Sequence, residues 1–151
     1  MLHIVLVHPE IPQNTGNIAR TCAVTGAALH LVRPMSFEID DKKLKRAGLD
    51  YWDKLCVQYH ESFEEVVHMA PRMWLCTTKA TKRHSDVRYR DGDYLVFGRE
   101  TAGLGDELLQ RYPQNHIRVP MRDELRSLNL SNAAAIVIYE ALRQIDYPAM
   151  H

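Results

Sequence analysis

Three short stretches carry side chains whose types and spacing could act together on a ligand. In the first, Asn14, Asn17 and Arg20 stand three residues apart, so on a helix they drift slowly around one side. The amides can read hydroxyls or base edges, and the planar guanidinium of Arg20 suits phosphate. In the second, Gly98, Gly103 and Gly105 surround Glu100. Glycine lets backbone approach a ligand closely, and a carboxylate at position 100 could hydrogen-bond a ligand or balance its positive charge. The glycine spacing is neither G-x-G-x-x-G nor a Walker loop, so a conventional nucleotide fold is not supported. In the third, Ser127, Asn129, Ser131 and Asn132 precede an uncharged run at 133–139. All four are helix-capping types. A buried helix entered through them could hold a ligand at its N-terminus, where donors and dipole are free. Each stretch also has a plain reading: a solvated helix face, a turn into a helix, and a capped core helix.

Other clusters are less pointed. Lys79, Lys82, Arg83, Arg88 and Arg90 gather beside His84 with only Asp86 opposing them, and Lys42, Lys43, Lys45 and Arg46 form a second group. Such runs are usually solvated, but on a chain of zero formal net charge two local patches could grip a phosphate backbone. The eight histidines show no metal-ligand spacing, so no metal is expected. Cys22, Cys56 and Cys76 are far apart and odd in number, which argues against a disulfide framework and for a reducing, cytoplasmic setting.

The elements that must position these stretches follow from periodicity and punctuation. The 151 residues, 46% hydrophobic and 25% charged, fit one globular domain with a sizeable core, without an internal repeat or low-complexity linker. Residues 2–7 form an apolar strand, too short for a membrane span and lacking the basic flank of a signal peptide. Pro9 and Pro12 impose an extended exit. Asn14 or Thr15 can then cap a helix to about Thr25, stopped by Gly26. Further strands are expected at 28–32, 57–59, 72–77, 94–97 and 117–119. Helices are expected from Asp40 or Asp41 to Arg46, from a capping box at Ser62 and Glu65 to about Met69, over 105–111, and after the Ser/Asn loop. The last helix, apolar on every face, should be buried between the sheet and something else. Strands alternating with helices imply an α/β fold, a mostly parallel sheet with helices on both faces. In such sheets ligands bind beyond the carboxyl ends of strands, which is where the three stretches begin.

In order and spacing, three motifs resemble those of the SPOUT RNA ribose 2′-O-methyltransferases along nearly the whole chain. They are Asn14-x-x-Asn17-x-x-Arg20, Phe97-Gly98-x-Glu100-x-x-Gly103-Leu104, and Ser127-Leu128-Asn129-Leu130-Ser131-Asn132-Ala133. Arg46-Ala47-Gly48-Leu49-Asp50-Tyr51 and the lack of an added RNA-binding domain resemble the small branch acting on the tRNA wobble ribose. The sequence departs from the family pattern at Arg99, where proline is expected, and at Ala102, where arginine is expected.

The resemblance implies a single domain over 1–151 with a C-terminal trefoil knot, an exception to ordinary topology rules that propensity cannot reveal. It implies S-adenosylmethionine bound in the knot by Cys76, Thr77, Thr78, Gly98, Glu100, Gly103, Leu104, Val119, Met121, Ser127 and Leu128. It also implies a homodimer with the last helix in its interface, and as substrate the wobble cytidine or modified uridine in the anticodon stem-loop of leucine tRNAs. The reaction is direct displacement at the sulfonium methyl by a ribose 2′-oxygen, with neither metal nor covalent intermediate. By the same resemblance Asn14 positions the ribose, while Ser127 and Asn129 fix the cofactor, with a catalytic role on the hydroxyl left open to both. The family mechanism gives Arg20 a part in activating the hydroxyl. A guanidinium pKa above ~12 makes a neutral Arg20 costly, which favours holding the phosphate and orienting the hydroxyl, with proton removal left open. Alignment alone can lower the barrier by up to ~7–11 kcal/mol. Two alternatives remain: another RNA nucleotide as target, or a non-catalytic RNA-binding module on the same scaffold.

Overall fold

The computed structural model describes residues 1–40, 42 and 50–151. The expected helix through Arg46 with its Gly48 stop, Lys43, Lys45 and Arg46 of the second basic group, and all but the last two residues of the 46–51 signature lie outside the described residues. In chain order the elements are β1 (His3–Val7), α1 (Pro12–Thr25), β2 (Ala28–Val32), a 3-10 turn (Asp50–Lys54), β3 (Val57–His60), α2 (Phe63–Met69), β4 (Met73–Cys76), β5 (Tyr94–Phe97), α3 (Asp106–Arg111), β6 (His116–Ile117) and α4 (Leu130–Gln144).

The strands form one six-stranded sheet in the order β3-β2-β1-β5-β4-β6, and every pairing is parallel. Parallel strands covered on both faces read as continuous apolar runs, because both alternating sets of side chains are buried. Ile4, Leu6, Leu29, Leu31, Leu95 and Phe97 share one core with Ile18 and Cys22 of α1 and with Val137, Ile138 and Leu142 of α4. Val5, Val7, Val32, Leu75 and Val96 share the other with Val66 of α2 and Leu109 of α3. The strand order reverses direction between β1 and β5, so the loops leaving these two strands diverge to opposite faces and open a crevice between them.

Several local expectations need correction. Helix α1 starts at Pro12 behind Ile11, and neither Asn14 nor Thr15 caps it. Proline suits the first turn because its φ is preset and the missing N–H would have no partner there. Gly26 ends the helix as expected, at φ 77°. At α2, Ser62 occupies the cap position without a side-chain bond, and Glu65 accepts the N–H of Glu61 at 2.8 Å, one residue before the expected capping-box donor. Strand β6 ends at Ile117, with Arg118 continuing only as a bridge to Arg83.

Helix α4 packs one face on the sheet side, as its expected place against the sheet requires. Ala134, Val137, Ile138, Ala141 and Leu142 are buried, but Ile136 and Tyr139 are 39% and 40% exposed. Its apolar circumference is therefore half satisfied by the sheet and α1, and the opposite face is open in the single chain.

Candidate functional site

A cavity of about 550 Å³ lies beyond the carboxyl ends of β4, β5 and β6. Three loops line it, at 76–79, 98–105 and 118–130, and the N-terminus of α1 closes it through Ile11 and Asn14. Volume and mixed lining match a small-molecule site rather than a packing defect.

The 98–105 loop is built by glycine. A Cβ on Gly98 would stand 2.1 Å from the Gly103 carbonyl carbon and 2.3 Å from the Leu104 nitrogen. No side chain fits there, because the loop doubles back and Gly103 N–H donates to Arg99 O at 2.9 Å. Gly103 and Gly105 hold φ of 66° and 82°, the left-handed region that other residues enter at a cost. Gly105 then starts α3.

This loop is fastened to the β1–α1 turn. The Glu100 carboxylate accepts the N–H of Glu10 at 2.9 Å and of Ile11 at 2.6 Å, and the Asn14 amide at 3.3 Å. It thus takes up donors at the open end of α1, where a negative charge also meets the positive end of the helix dipole. In return, one Glu10 carboxylate oxygen accepts Thr101 N–H at 3.0 Å and Thr101 Oγ1–H at 2.8 Å. The bonds from Thr101 hold the Glu10 carboxyl below its usual range. Glu100 lines the cavity as expected, yet its oxygens are engaged with the protein's own donors.

Asn129 joins the third loop to the same point. Its Oδ1 accepts from Ser131 N–H at 2.9 Å and Asn132 N–H at 3.3 Å, capping α4, and also from Ser131 Oγ at 2.6 Å. Its Nδ2 donates to Asn14 Oδ1 at 3.1 Å. Among the four expected cap types Asn129 is therefore the cap, while Ser127 Oγ makes no hydrogen bond among the described residues and lines the cavity with Leu128.

The remaining predicted residues separate clearly. Cys76, Thr77, Thr78, Gly98, Gly103, Leu104, Val119 and Met121 all line the cavity. Burial pushes the Cys76 thiol up, so it stands there as a neutral group. Arg20 is outside the lining. It is exposed, with its guanidinium 5.3 Å from the Tyr51 ring centroid. A three-residue step advances a helix by ~300°, so Asn14 and Arg20 end ~120° apart; Asn14 is buried while Asn17 and Arg20 face outward. In the basic group at 79–90, Lys79 pairs with Asp106, Arg83 with Asp86, and Lys82 donates to Gln114 O. Among the described residues no group of three His, Cys, Asp or Glu is placed to hold a metal.

Sequence reasoning missed Glu10, Thr101 and Arg118. Arg118 donates to Thr78 O at 3.0 Å and so ties two of the loops together. Glu10 and Thr101 are 91 residues apart, and no spacing marks either. The one available signal is proximity: Glu10 sits beside the Pro-rich strand exit and Thr101 beside Glu100.

Known proteins resemble this chain over its whole length. The tRNA (cytidine(34)-2'-O)-methyltransferase of Escherichia coli (strain K12) is 51% identical over 151 residues, covering 98% of this chain and 96% of the relative. A solved structure described as giving structural insights into the 2-OH methylation of C/U34 on tRNA matches with a TM-score of 0.89 at 44% identity, covering 97% of each chain. The SpoU methyltransferase AviRb from Streptomyces viridochromogenes, in complex with AdoMet, shares the fold with a TM-score of 0.84 at 24% identity, covering all of this chain and 59% of that one. The family profile for the SpoU rRNA Methylase family matches residues 1–139, which include all three loops of the cavity, and the chain belongs to that family.

Proposed function

We propose that this protein transfers a methyl group from S-adenosylmethionine to the ribose 2′-hydroxyl of the wobble nucleotide, cytidine or uridine 34, of tRNA. The observation that carries the proposal is full-length identity of about half to a relative named for that activity, joined to a cavity in which every expected cofactor residue stands. Cytidine or modified uridine in leucine tRNAs, presented on the anticodon stem-loop, is the substrate that the motif resemblance favours.

The residues present fit the cofactor. Leu104, Leu109, Leu128 and Val137 offer an apolar wall for an adenine ring. Thr77, Thr78 and Ser127 offer hydroxyls for its ribose and amino-acid ends, and the glycine-built loop brings backbone within reach. Glu100, Gly98, Gly103, Val119, Met121 and Cys76 complete the site. When bound, the cofactor supplies an electrophilic sulfonium methyl.

The chain's own residues then bind, orient and activate. Ser127 Oγ has no protein partner among the described residues, so it can hold a ligand. Asn14 and Asn129 are fixed by their mutual bond, yet each amide keeps an unspent N–H for a ribose hydroxyl. Arg20 holds an RNA phosphate and orients the hydroxyl. Since Arg20 is outside its own cavity lining, we assign it to the cavity of a second subunit in a homodimer packed through the open face of α4. The same reading includes a trefoil knot formed by the three cavity loops, one domain over 1–151, and a cytoplasmic enzyme. No helix among the described residues is long and apolar enough to cross a membrane.

Incubating the protein with labelled S-adenosylmethionine and bulk tRNA, then mapping the labelled nucleotide, tests this. A 2′-O-methylated residue 34 is expected. Label at another nucleotide would move the enzyme to a different RNA target. RNA binding without any label would leave a non-catalytic module.

A further inference from the structure

The two carboxylates at the crevice are used reciprocally. Glu100 binds the backbone N–H of Glu10 and Ile11, and Glu10 binds the backbone N–H and hydroxyl of Thr101. Each of two neighbouring turns thus donates its main chain to a carboxylate carried by the other. Glu10 is tied a third way, since its carbonyl accepts Ser36 Oγ–H at 2.8 Å. Glu100 anchors the start of the 98–105 loop through three bonds from the β1–α1 turn and Asn14; past it, Gly103 N–H is spent within the loop on Arg99 O, and Thr101, Ala102 and Gly103 are exposed. Thr101, Gly103 and Leu104 all line the cavity. Beyond Glu100, the exposed tip is therefore fastened to the β1–α1 turn through Thr101 and the Glu10 carboxylate.

We infer that Glu10 is a positioning residue for the cofactor site, latching the 98–105 loop in its binding shape through Thr101. It rests on the cofactor assignment above. Glu10 is not among the residues lining the cavity, so it acts through the loop. Without the latch the loop must be ordered by the incoming ligand, and that ordering is subtracted from affinity. The chemical step, once the site is full, is left nearly unchanged. One Glu10 oxygen accepts both Thr101 bonds, and an amide oxygen has the two lone pairs to do the same. Glutamine therefore replaces glutamate in this role, and alanine does not.

The test compares wild type, Glu10→Ala, Glu10→Gln and Thr101→Val by calorimetry with S-adenosylhomocysteine and by methyl transfer to tRNA. Glu10→Ala is expected to weaken S-adenosylhomocysteine binding and raise the cofactor KM about tenfold, the scale of a lost hydrogen bond to a charged group, with kcat at saturating cofactor within about threefold. Glu10→Gln is expected to recover most of the affinity. Thr101→Val, which keeps the N–H and loses the hydroxyl, is expected to fall between, and the double variant Glu10→Ala with Thr101→Val to cost less than the sum. Equal affinity in Glu10→Ala and wild type overturns the latch, as does a loss in kcat with KM unchanged, or failure of glutamine to rescue. Wild-type protein that binds no S-adenosylhomocysteine would instead overturn the cofactor assignment itself.

Discussion

Asn129 Nδ2 donates to Asn14 Oδ1 at 3.1 Å, across 115 residues of sequence. This one bond fixes the orientation of both amides. An ionised carboxylate only accepts, so Asn14 must turn its NH2 toward Glu100, leaving its oxygen for Asn129. Asn129 must then turn its own oxygen toward the free N–H groups of Ser131 and Asn132. A chain of donors runs from the start of α4 to the start of α1, and every member points one way.

That polarity can be tested at Asn14, which is buried. Asn14→Ala removes the link and is expected to cost about 1–3 kcal/mol, the price of leaving buried partners unsatisfied. Asn14→Asp keeps the shape but removes the donor and sets a second carboxylate against Glu100, so it should cost more than alanine at pH 7 and recover toward it as pH falls. Urea unfolding of the two variants decides. Aspartate as stable as asparagine would reverse the assigned direction.

Gly98→Ala is expected to abolish S-adenosylhomocysteine binding. Its new Cβ would meet backbone atoms of Gly103 and Leu104, which cannot rotate away as a side chain tip can. Overpacking of this kind costs roughly 1–3 kcal/mol or more, and here the displaced atoms line the cavity. Calorimetry showing unchanged affinity in a folded Gly98→Ala protein would mean that the loop shape is not needed for binding.

What could be read from the sequence follows the range of the interaction. Strands β2 and β5 fall where their apolar runs place them, because burial on both faces leaves a local mark. The end of α1 was legible for the same reason: only Gly26 suits the left-handed turn. The start of α1 was not, since the N–H groups of Glu10 and Ile11 just ahead of it are satisfied by Glu100, far along the chain. The cavity residues were found through motif resemblance, whereas their mutual bonds were not. In the charge run at 79–90 the partner of Lys79, Asp106, was not legible, because α3 brings it in from further along the chain. Likewise His3, His30 and His60 share no sequence spacing; the parallel register places His30 two positions past the partner of His3, and His60 two positions past the partner of His30, so all three fall on one face of the sheet.

Those histidines yield a pH prediction. His30 Nε2 lies 2.9 Å from His3 Nδ1, and His30 Nδ1 lies 2.9 Å from His60 Nε2. His3 stacks on Tyr94 and feels Asp91, and His60 faces Glu65 at 3.7 Å. Burial first, then the flanking His3 and His60, depress His30 from 6.5 to about 3. The unfolded chain therefore binds a proton that the folded chain refuses. Stability is full above pH 6.5 and is lost as pH falls from there toward 3, by at most ~1.4 kcal/mol per pH unit for one proton. In urea titrations between pH 7 and 5, His30→Gln should flatten that slope. An identical slope in both proteins would remove His30 as its source.

Arg20→Ala is expected to abolish methyl transfer while leaving S-adenosylhomocysteine affinity within about twofold, because the arginine is outside the cavity lining and its assigned partner is RNA phosphate. Arg20→Lys should restore little, since a point charge lacks the planar fork. Calorimetry showing Arg20→Ala unable to bind S-adenosylhomocysteine would move Arg20 into the cofactor site.

The open face of α4 is the surface through which the proposed homodimer packs. Ile136 and Tyr139 stand about one turn apart on that face and are each about two-fifths exposed, beside the exposed Asn132 and Arg143. Val137, by contrast, is fully buried within the chain, so its replacement would report on folding rather than assembly. An isologous pair would let each subunit cover the other's patch. Tyr139→Glu places a charge on this surface and is expected to give folded monomers by sedimentation, inactive although each still binds S-adenosylhomocysteine. If Arg20 serves the partner's cavity, mixing Arg20→Ala with Ser127→Ala chains should regenerate one intact site per mixed dimer, roughly a quarter of wild-type activity from statistical exchange. No recovery in the mixture would keep Arg20 and Ser127 on the same subunit's site, and an active wild-type monomer would remove the dimer from the mechanism altogether.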